Sequence, residues 1–351
     1  MLTSVKMTRL GPLVAVLMAL TTETLGALTT ADLEDRVESA IRSASLGSTE
    51  IGISIRDLAT GEEIVGIEET EPMIPASNMK LFTSGAALHV LGEDFHFQTS
   101  LILEGDTLWV VGGGDPAFGD PMLLEQMQWN IDNFLDQIIE AVVDSGVREL
   151  SSVVVDDRMF DRKHVHPDWP RDQLDKRYCA EVAGLNFGLN VVRIEAAPSK
   201  SGGSPMITSM TPSLPWILPK NEMHSKREKG AVTRIGIRRS PGSNNLTAYG
   251  RILSPIGADV TISNVPEVFA RLLKVRLQAA GIKVGSTRLA EAANDRPRPD
   301  GTSVRELLRI RTPLTTVLER CNTNSQNLYA ESMLKRIGHE NELAPGSWAN
   351  G

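Results

Sequence analysis

Cysteine is scarce in this chain: Cys179 and Cys321 are the only two in 351 residues. Two thiols so far apart build neither a zinc ribbon nor a disulfide framework, and both are expected as buried small hydrophobes. Clustered positive charge is missing as well. The 36 Lys and Arg are outnumbered by 44 Asp and Glu, giving a formal charge of −8 with no basic stripe, which argues against a nucleic-acid partner. Beyond residue 27 no apolar run approaches the roughly 18 residues of a membrane span. The chain has no Walker or Rossmann glycine fingerprint, no His-Glu-x-x-His and no Gly-x-Ser-x-Gly elbow. His164-x-His166 is the one spacing that suggests a metal, and beside Pro167 it reads as a solvated loop pair. No metal or organic cofactor is expected.

What remains is the composition of a folding chain, 41% hydrophobic and 23% charged, long enough for two domains or more. Lys6 and Arg9, the apolar run Leu10 to Leu20, and Leu25-Gly26-Ala27 make residues 1–27 a secretory signal peptide. The mature protein is then expected outside the cytoplasm, in the periplasm or cell envelope, not spanning the membrane and out of reach of cytosolic nucleotides.

Thr30 is placed to cap a helix with an acidic first turn, and residues 51–56 and 63–67 read as two strands around Thr60-Gly61. Met79 to Leu91, rich in Ala, Leu and Met, predicts a buried helix ended by Gly92. Strands follow at Thr99–Leu103 and Thr107–Val111, then a Gly112-Gly113-Gly114 turn, a long helix over Leu123–Val143 and a strand at Val153–Val155. The stretch from Asn190 to Ile252, including a polar loop at 199–204, breaks into short strand-sized pieces and looks like a mostly β unit. A helix at Pro266–Ala280 ends at Gly281. After a Pro-rich loop at 294–300, Ser303–Leu308 and Leu314–Arg320 resume amphipathic patterning.

The chemistry-bearing pattern is Ser77-Asn78-Met79-Lys80. The serine and lysine content predicts about one Ser-x-x-Lys by chance, and a second copy stands at Ser332-Met333-Leu334-Lys335, so context has to separate them. Ser77 and Lys80 share one face at the first turn of an apolar helix. There the helix-terminal N–H groups favour an anion, and an apolar setting disfavours the ammonium, so a neutral amine beside a hydroxyl makes a workable base and nucleophile. Ser332 and Lys335 lie well inside a helix and read as ordinary helix surface. Ser325-Gln326-Asn327 precedes that helix with polar groups free to enter a cleft, whereas its look-alike Ser243-Asn244-Asn245 reads as a turn between strands. If the two elements meet, Ser325 is placed to relay a proton and Asn327 to hold an amide.

Together these residues resemble the active-site serine penicillin-binding proteins, and more narrowly the class C, low-molecular-mass D-alanyl-D-alanine carboxypeptidase/endopeptidase family, peptidase family S13. Pro75 to Lys80 with Leu81-Phe82-Thr83 is similar to the nucleophile segment. Gly112-Gly113-Gly114-Asp115-Pro116, Val155-Asp156-Asp157, Leu185-Asn186-Phe187 and Pro313-Leu314 to Glu331 follow in the family's order.

The resemblance implies an α/β (α+β) fold: a transpeptidase-like domain of antiparallel sheet and flanking helices in two parts, residues 28–97 and 296–351, interrupted by mostly β inserted domains over 98–295. It implies an acyl-enzyme on Ser77, with Lys80 as base, Ser325 as relay and Asn327 as amide ligand. Trp169, Asp172 and Tyr178 are expected to approach the stem-peptide side chain. Peptidoglycan stem peptides are the implied substrate, and β-lactams the implied covalent inhibitors. Two features depart from the family: Gln326 stands where Asp is common, and no Lys-Thr-Gly or His-Thr-Gly occurs in the 351 residues. The second departure leads to the expectation of a fragment, with a non-catalytic peptidoglycan-binding protein as the alternative; a β-lactamase fits poorly with so large an insertion.

Overall fold

The computed structural model describes residues 29–199, 203–226, 228–291, 295, 297, 304–342 and 344–351. The expected signal peptide, the middle of the 199–204 loop and most of the 294–300 loop lie outside them. Between Ala76 and Ser77 the chain divides into two compact units.

In the first unit, helix α1 (Thr30–Ser43) is capped by Thr29, one residue ahead of the expected Thr30. The Thr29 hydroxyl accepts from the Asp32 N–H at 3.2 Å and the Asp32 carboxylate accepts from the Thr29 N–H at 3.0 Å, so two orphan donors are satisfied reciprocally. Strands β1 (Ile53–Arg56) and β2 (Glu63–Ile67) form the expected antiparallel hairpin.

The second unit opens with α2 (Met79–Leu91), which stops at Gly92 as predicted. The expected burial of this helix fails. Among its residues Ser84 and Ala87 are buried, while Met79, Leu81, Phe82, Leu88 and Val90 are exposed, Phe82 by 71%. Apolar side chains run right round α2, so one packing face cannot cover them.

Strands β3 (His96–Glu104) and β4 (Thr107–Gly112) lead through the glycine turn to α3 (Pro121–Gln126) and α4 (Ile131–Asp144), two helices where one was expected. Asn130 divides them: its side chain accepts from the N–H groups of Asp132 and Asn133, and Asn133 reciprocates to the Asn130 N–H. A capping residue of that quality starts a new helix and does not continue an old one. Strand β5 (Glu149–Asp156) follows, then β6 (Val191–Ala197), β7 (Met206–Thr211), β8 (Lys220–His224), β9 (Arg234–Arg239), β10 (Leu246–Arg251) and β11 (Ile256–Thr261). Helix α5 (Val265–Ala279), β12 (Lys283–Leu289), β13 (Val304–Pro313), α6 (Leu314–Thr323) and α7 (Asn327–Glu342) complete the described order.

Five strands form one sheet in the order β12-β5-β4-β3-β13, parallel from β12 to β4 and antiparallel from β4 to β13. Two three-stranded sheets, β8-β10-β9 and β11-β6-β7, account for the expected β texture, and Ser243-Asn244-Asn245 is the turn between β9 and β10. In α4, Ile131, Phe134, Leu135, Ile138, Ile139 and Val142 recur at helical spacing and are all buried, so that face enters the core. There Phe118, Phe134, Phe187 and Phe269 meet with ring centroids 4.8–6.3 Å apart.

The expected tight turn is displaced: Gly112 ends β4, Gly113 and Gly114 continue without regular structure, with the Gly114 N–H donating to the Gly184 carbonyl at 2.8 Å, and the turn falls at 116–119; the segment delivers two carboxylates into the interior. Asp115 accepts from the Ala117 N–H at 2.9 Å and from the Thr312 hydroxyl of β13 at 2.6 Å. Asp120 caps α3 through the Met122 N–H and receives Arg320 Nε at 2.8 Å, Arg320 Nη2 at 3.1 Å and the Tyr329 hydroxyl at 2.6 Å. Asp120 and Arg320 are 0% and 4% exposed, so this ion pair operates without solvent.

Removing one partner of such a pair leaves a buried charge uncompensated. Asp120→Ala is expected to lower the unfolding free energy by about 3–5 kcal/mol in urea denaturation, with part of the loss recovered in Asp120→Ala/Arg320→Leu. Burial pushes the Asp115 carboxyl up from its ordinary 3.8 to about 6, with the Asp120 charge adding to the effect against the Thr312 and Ala117 hydrogen bonds. The fold therefore holds a proton that the unfolded chain releases. Asp115's contribution to stability is fully present below 3.8 and lost as the pH rises through about 6. Relative to Asp115→Asn, the wild-type chain is expected to lose on the order of 2–3 kcal/mol across that window, measured by chemical denaturation at each pH.

Candidate active site

Ser77 sits in a 3-10 turn, Ala76–Asn78, that runs into α2, and Lys80 follows on the first turn of that helix. Ser325 lies in the corner between α6 and α7. Three side chains converge: Ser325 Oγ donates to Ser77 Oγ at 2.9 Å, and Lys80 Nζ donates to the same oxygen at 3.3 Å. The two serines are 248 residues apart in the chain. Both are exposed and Lys80 is half-buried, so the Ser77 hydroxyl is reachable from solvent with the Lys80 amine alongside.

The register between the two segments comes from the buried face of α2. Ser84 donates to Asn322 Oδ1 of α6 at 3.1 Å, and Ala87 packs in a cluster with Leu314, Val317, Cys321, Tyr329 and Met333 of α6 and α7. Ser84 lies seven residues after Ser77, two helical turns along the same face. That spacing was the available sequence signal for the Ser84–Asn322 contact, which the motif reading missed.

Two residues at the site hold left-handed backbone without being glycine, Ala76 at φ +46° and Ser325 at φ +52°. Such conformations cost on the order of 1 kcal/mol or more and persist where surrounding contacts over-determine them. At Ser325 the contacts are visible: the Asn324 N–H bonds back to Arg320 O, and the buried Gln326 bonds through its N–H to Cys321 O at 3.2 Å. Cys321 is buried as expected, and burial pushes its thiol up to about 11. It is a protonated packing group beside Lys80 and offers no competing thiolate.

Asn327 begins α7 and donates through Nδ2 to the Tyr178 carbonyl at 2.8 Å. That bond orients the amide, leaving Oδ1 as the free acceptor. Tyr178 itself is half exposed, its hydroxyl donating to Gln173 at 2.7 Å. Trp169 packs with Phe160, Val182, Leu328 and Trp348, next to the start of α7. Asp172 is exposed in the short turn Arg171–Gln173, and among the described residues it bonds to neither serine nor to Lys80. The structure thus joins Ser77, Lys80 and Ser325, joins Asn327 to Tyr178, sets Trp169 nearby and leaves Asp172 apart.

Glu331 is a further residue the motif reading passed over, although it lies one turn along α7 from Asn327. Its carboxyl is pushed up by burial and accepts from Trp348 Nε1 at 2.6 Å. The second Ser-x-x-Lys is not ordinary helix surface. Ser332 and Lys335 are both 0% exposed, with Lys335 Nζ bonded to Asp161 at 2.7 Å and to the Lys163 carbonyl at 2.8 Å, 3.8 Å from the Trp348 ring centroid. The segment 159–163 folds over that face of α7 and supplies partners from outside the helix. His164 likewise is not solvated: it is half-buried, with Nδ1 3.5 Å from Glu181. Among the described residues no three His, Cys, Asp or Glu cluster as metal ligands, and no helix is long and apolar enough to cross a membrane. Clefts of about 710 and 790 Å³ open beside His164 and Met159, and neither is lined by Ser77, Lys80 or Ser325.

Glycine adopts left-handed backbone at less cost than alanine. Ser325→Gly is therefore expected to be about 1 kcal/mol more stable than Ser325→Ala in thermal denaturation, with both lacking the hydroxyl.

A family model described as D-Ala-D-Ala carboxypeptidase 3 (S13) matches residues 33–351. The chain is 27% identical over 343 residues to a D-alanyl-D-alanine carboxypeptidase of Actinomadura sp. (strain R39), covering 91% of this chain and 60% of that protein. It is 22% identical over 332 residues to penicillin-sensitive carboxypeptidase A of Dictyostelium discoideum, covering 88% and 62%. It thus spans about three-fifths of the length of these curated relatives. Among solved structures, penicillin binding protein 4 of Haemophilus influenzae matches with a TM-score of 0.65 at 19% identity, over 85% of this chain and 64% of that one. The same protein complexed with a β-lactam matches with a TM-score of 0.60 at 18% identity, over 92% and 66%. The fold expected from the sequence, a transpeptidase-like domain with inserted domains, is the one these structures share.

Proposed function

The chain belongs to the D-Ala-D-Ala carboxypeptidase 3 (S13) family, and on that premise we propose that it carries the acylation machinery of a serine-type D-Ala-D-Ala carboxypeptidase, with endopeptidase action on cross-links as the same chemistry. The observation that carries the proposal is the meeting of Ser77, Lys80 and Ser325 within 2.9 and 3.3 Å across 248 residues of chain.

Ser77 Oγ attacks the carbonyl of the penultimate D-Ala of a peptidoglycan stem peptide. Its proton passes to the Lys80 amine, and the carbonyl becomes a tetrahedral oxyanion. The backbone N–H of Ser77, at a helix start, is one donor to that oxyanion, a contribution of about two orders of magnitude in rate when well aimed. Collapse breaks the C–N bond, and the proton reaches the leaving D-Ala amine through the Ser325 hydroxyl. Water then hydrolyses the Ser77 ester. Asn327 Oδ1, left free by the Tyr178 contact, accepts from a substrate amide. Trp169, Asp172 and Tyr178 flank the stem-peptide side chain in this reading, with Asp172 the least supported by contacts. A β-lactam, resembling the substrate end, acylates the same serine.

The domain assignment belongs to the same proposal: residues 28–97 and 296–351 form the transpeptidase-like domain and 98–295 the insertion. Strands β3 and β13 pair antiparallel, Val304 opposite Glu104 and Pro313 opposite His96, which brings the two ends of the proposed insertion side by side and places β13 in the sheet of the inserted part. Residues 1–27 direct export to the periplasm or cell envelope, where the substrate lies.

Fluorescent penicillin tests the chemistry. The purified chain is expected to take a covalent label that is absent in Ser77→Ala and slowed about 10²–10⁴-fold in Lys80→Ala, and to release D-alanine from D-Ala-D-Ala peptides. A folded chain that takes no label would sink the acylation reading and favour a peptidoglycan-binding role.

A further inference from the structure

The run Cys179-Ala180-Glu181-Val182 is buried throughout, at 4, 3, 6 and 0% exposure, and it holds a carboxylate in its middle. An isolated buried carboxylate is costly, so its partners indicate what it is for. Glu181 Oε1 accepts from the Ser263 hydroxyl at 2.7 Å, and Oε2 accepts from the Asn264 N–H at 2.8 Å, at the start of the 15-residue α5. His164 Nδ1 lies 3.5 Å away, and the Glu181 carbonyl accepts from Asn190 Nδ2 at 2.7 Å. Burial pushes the Glu181 carboxyl up, and the hydrogen bonds of His164, Ser263 and Asn264 outweigh it, leaving the group below the ordinary glutamate range. The carboxylate thus stays ionised and bonded to the positive end of a long helix.

Three residues earlier, the carbonyl of Tyr178 receives the Asn327 amide. The segment 178–181 is therefore held at both ends, by the α5 start through a side chain and by α7 through a carbonyl. We infer that Glu181 is a positioning residue for Asn327, clamping the segment whose carbonyl orients the Asn327 amide toward the substrate. The inference rests on the reading of Asn327 as an amide ligand.

Without the Glu181 carboxylate, the Asn264 N–H and the Ser263 hydroxyl lose their acceptor, the segment loosens, and Asn327 is free to turn its amide over. The effect then falls on ligands that present an amide. Glu181→Gln keeps one carbonyl acceptor for the Asn264 N–H and rescues in part, while Glu181→Ala does not.

Acylation rates separate this role from a merely stabilising one. For Glu181→Ala the rate with a penicillin bearing an acylamino side chain is expected to fall about tenfold relative to the rate with a β-lactam lacking that side chain, the size of one lost hydrogen bond. Glu181→Gln is expected to lie between Glu181→Ala and wild type. Equal losses with both ligands would overturn the inference. Hydrogen exchange of the same proteins provides a readout independent of chemistry. Residues 176–182 and 325–331 are expected to exchange faster in Glu181→Gln and Glu181→Ala, and to be unchanged in the surface control Glu149→Gln. A change confined to residues 261–268 would show Glu181 to be a helix cap and nothing more. If wild type is not acylated by either ligand, the function proposed above fails, and exchange alone decides the positioning role.

Discussion

The guanidinium of Arg320 is buried, and the negative charge that compensates it comes from Asp120, 200 residues earlier in the chain. A buried pair of this kind contributes little net stability over an apolar replacement, but breaking one side of it is severe, so it restricts the fold to arrangements in which both charges meet. Asp120 also caps α3 and receives the Tyr329 hydroxyl, and burial together with Asp120's charge pushes that phenol up and keeps it a donor. One carboxylate thereby ties the glycine-turn segment to α6 and to α7. The corner between those two helices carries Ser325, and α7 begins with Asn327. The strained φ of Ser325 is held by this anchored corner and would not persist on a free loop.

The same logic explains how α2 holds Ser77 in place while leaving much of its apolar surface exposed. Two small buried residues, Ser84 and Ala87, set its height and rotation against α6 and α7 through one hydrogen bond and one packing contact. Small side chains at the contact let the helices approach closely, and Ser77 follows from rotation about the axis. The positive end of α2 then coincides with the meeting of two hydroxyls and an amine. On the far side of Asn327 a different part of the chain supplies the support, through Tyr178 and the buried run that follows it.

Much of this was legible in local pattern. The limits of α2 and the β1–β2 hairpin follow from turn chemistry and apolar spacing, and Ser77, Lys80 and Ser325 could be picked out because helix context separated them from their chance copies. What could not be read was partnership at a distance. Lys335 resembled a surface lysine because Asp161, the Lys163 carbonyl and Trp348 are not neighbours in sequence, and His164 resembled a loop histidine because Glu181 is distant. The burial expected for α2 failed for the converse reason: hydrophobicity states what a helix could bury, and its neighbours decide how much it does. The division of Leu123–Val143 was missed because a continuous apolar pattern outweighed the single capping residue Asn130, whose two hydrogen bonds to the backbone decide the matter.

The 248 residues between the two serines also set a schedule. At elongation rates of about 5–20 residues per second, Ser77 emerges roughly tens of seconds before Ser325 exists to meet it. During that interval Ser77 belongs to an incomplete chain, with its hydrogen-bond partner unmade and the corner that carries that partner unanchored. The meeting of the two hydroxyls is therefore a late product of synthesis, arriving after most of the chain between the serines has been made.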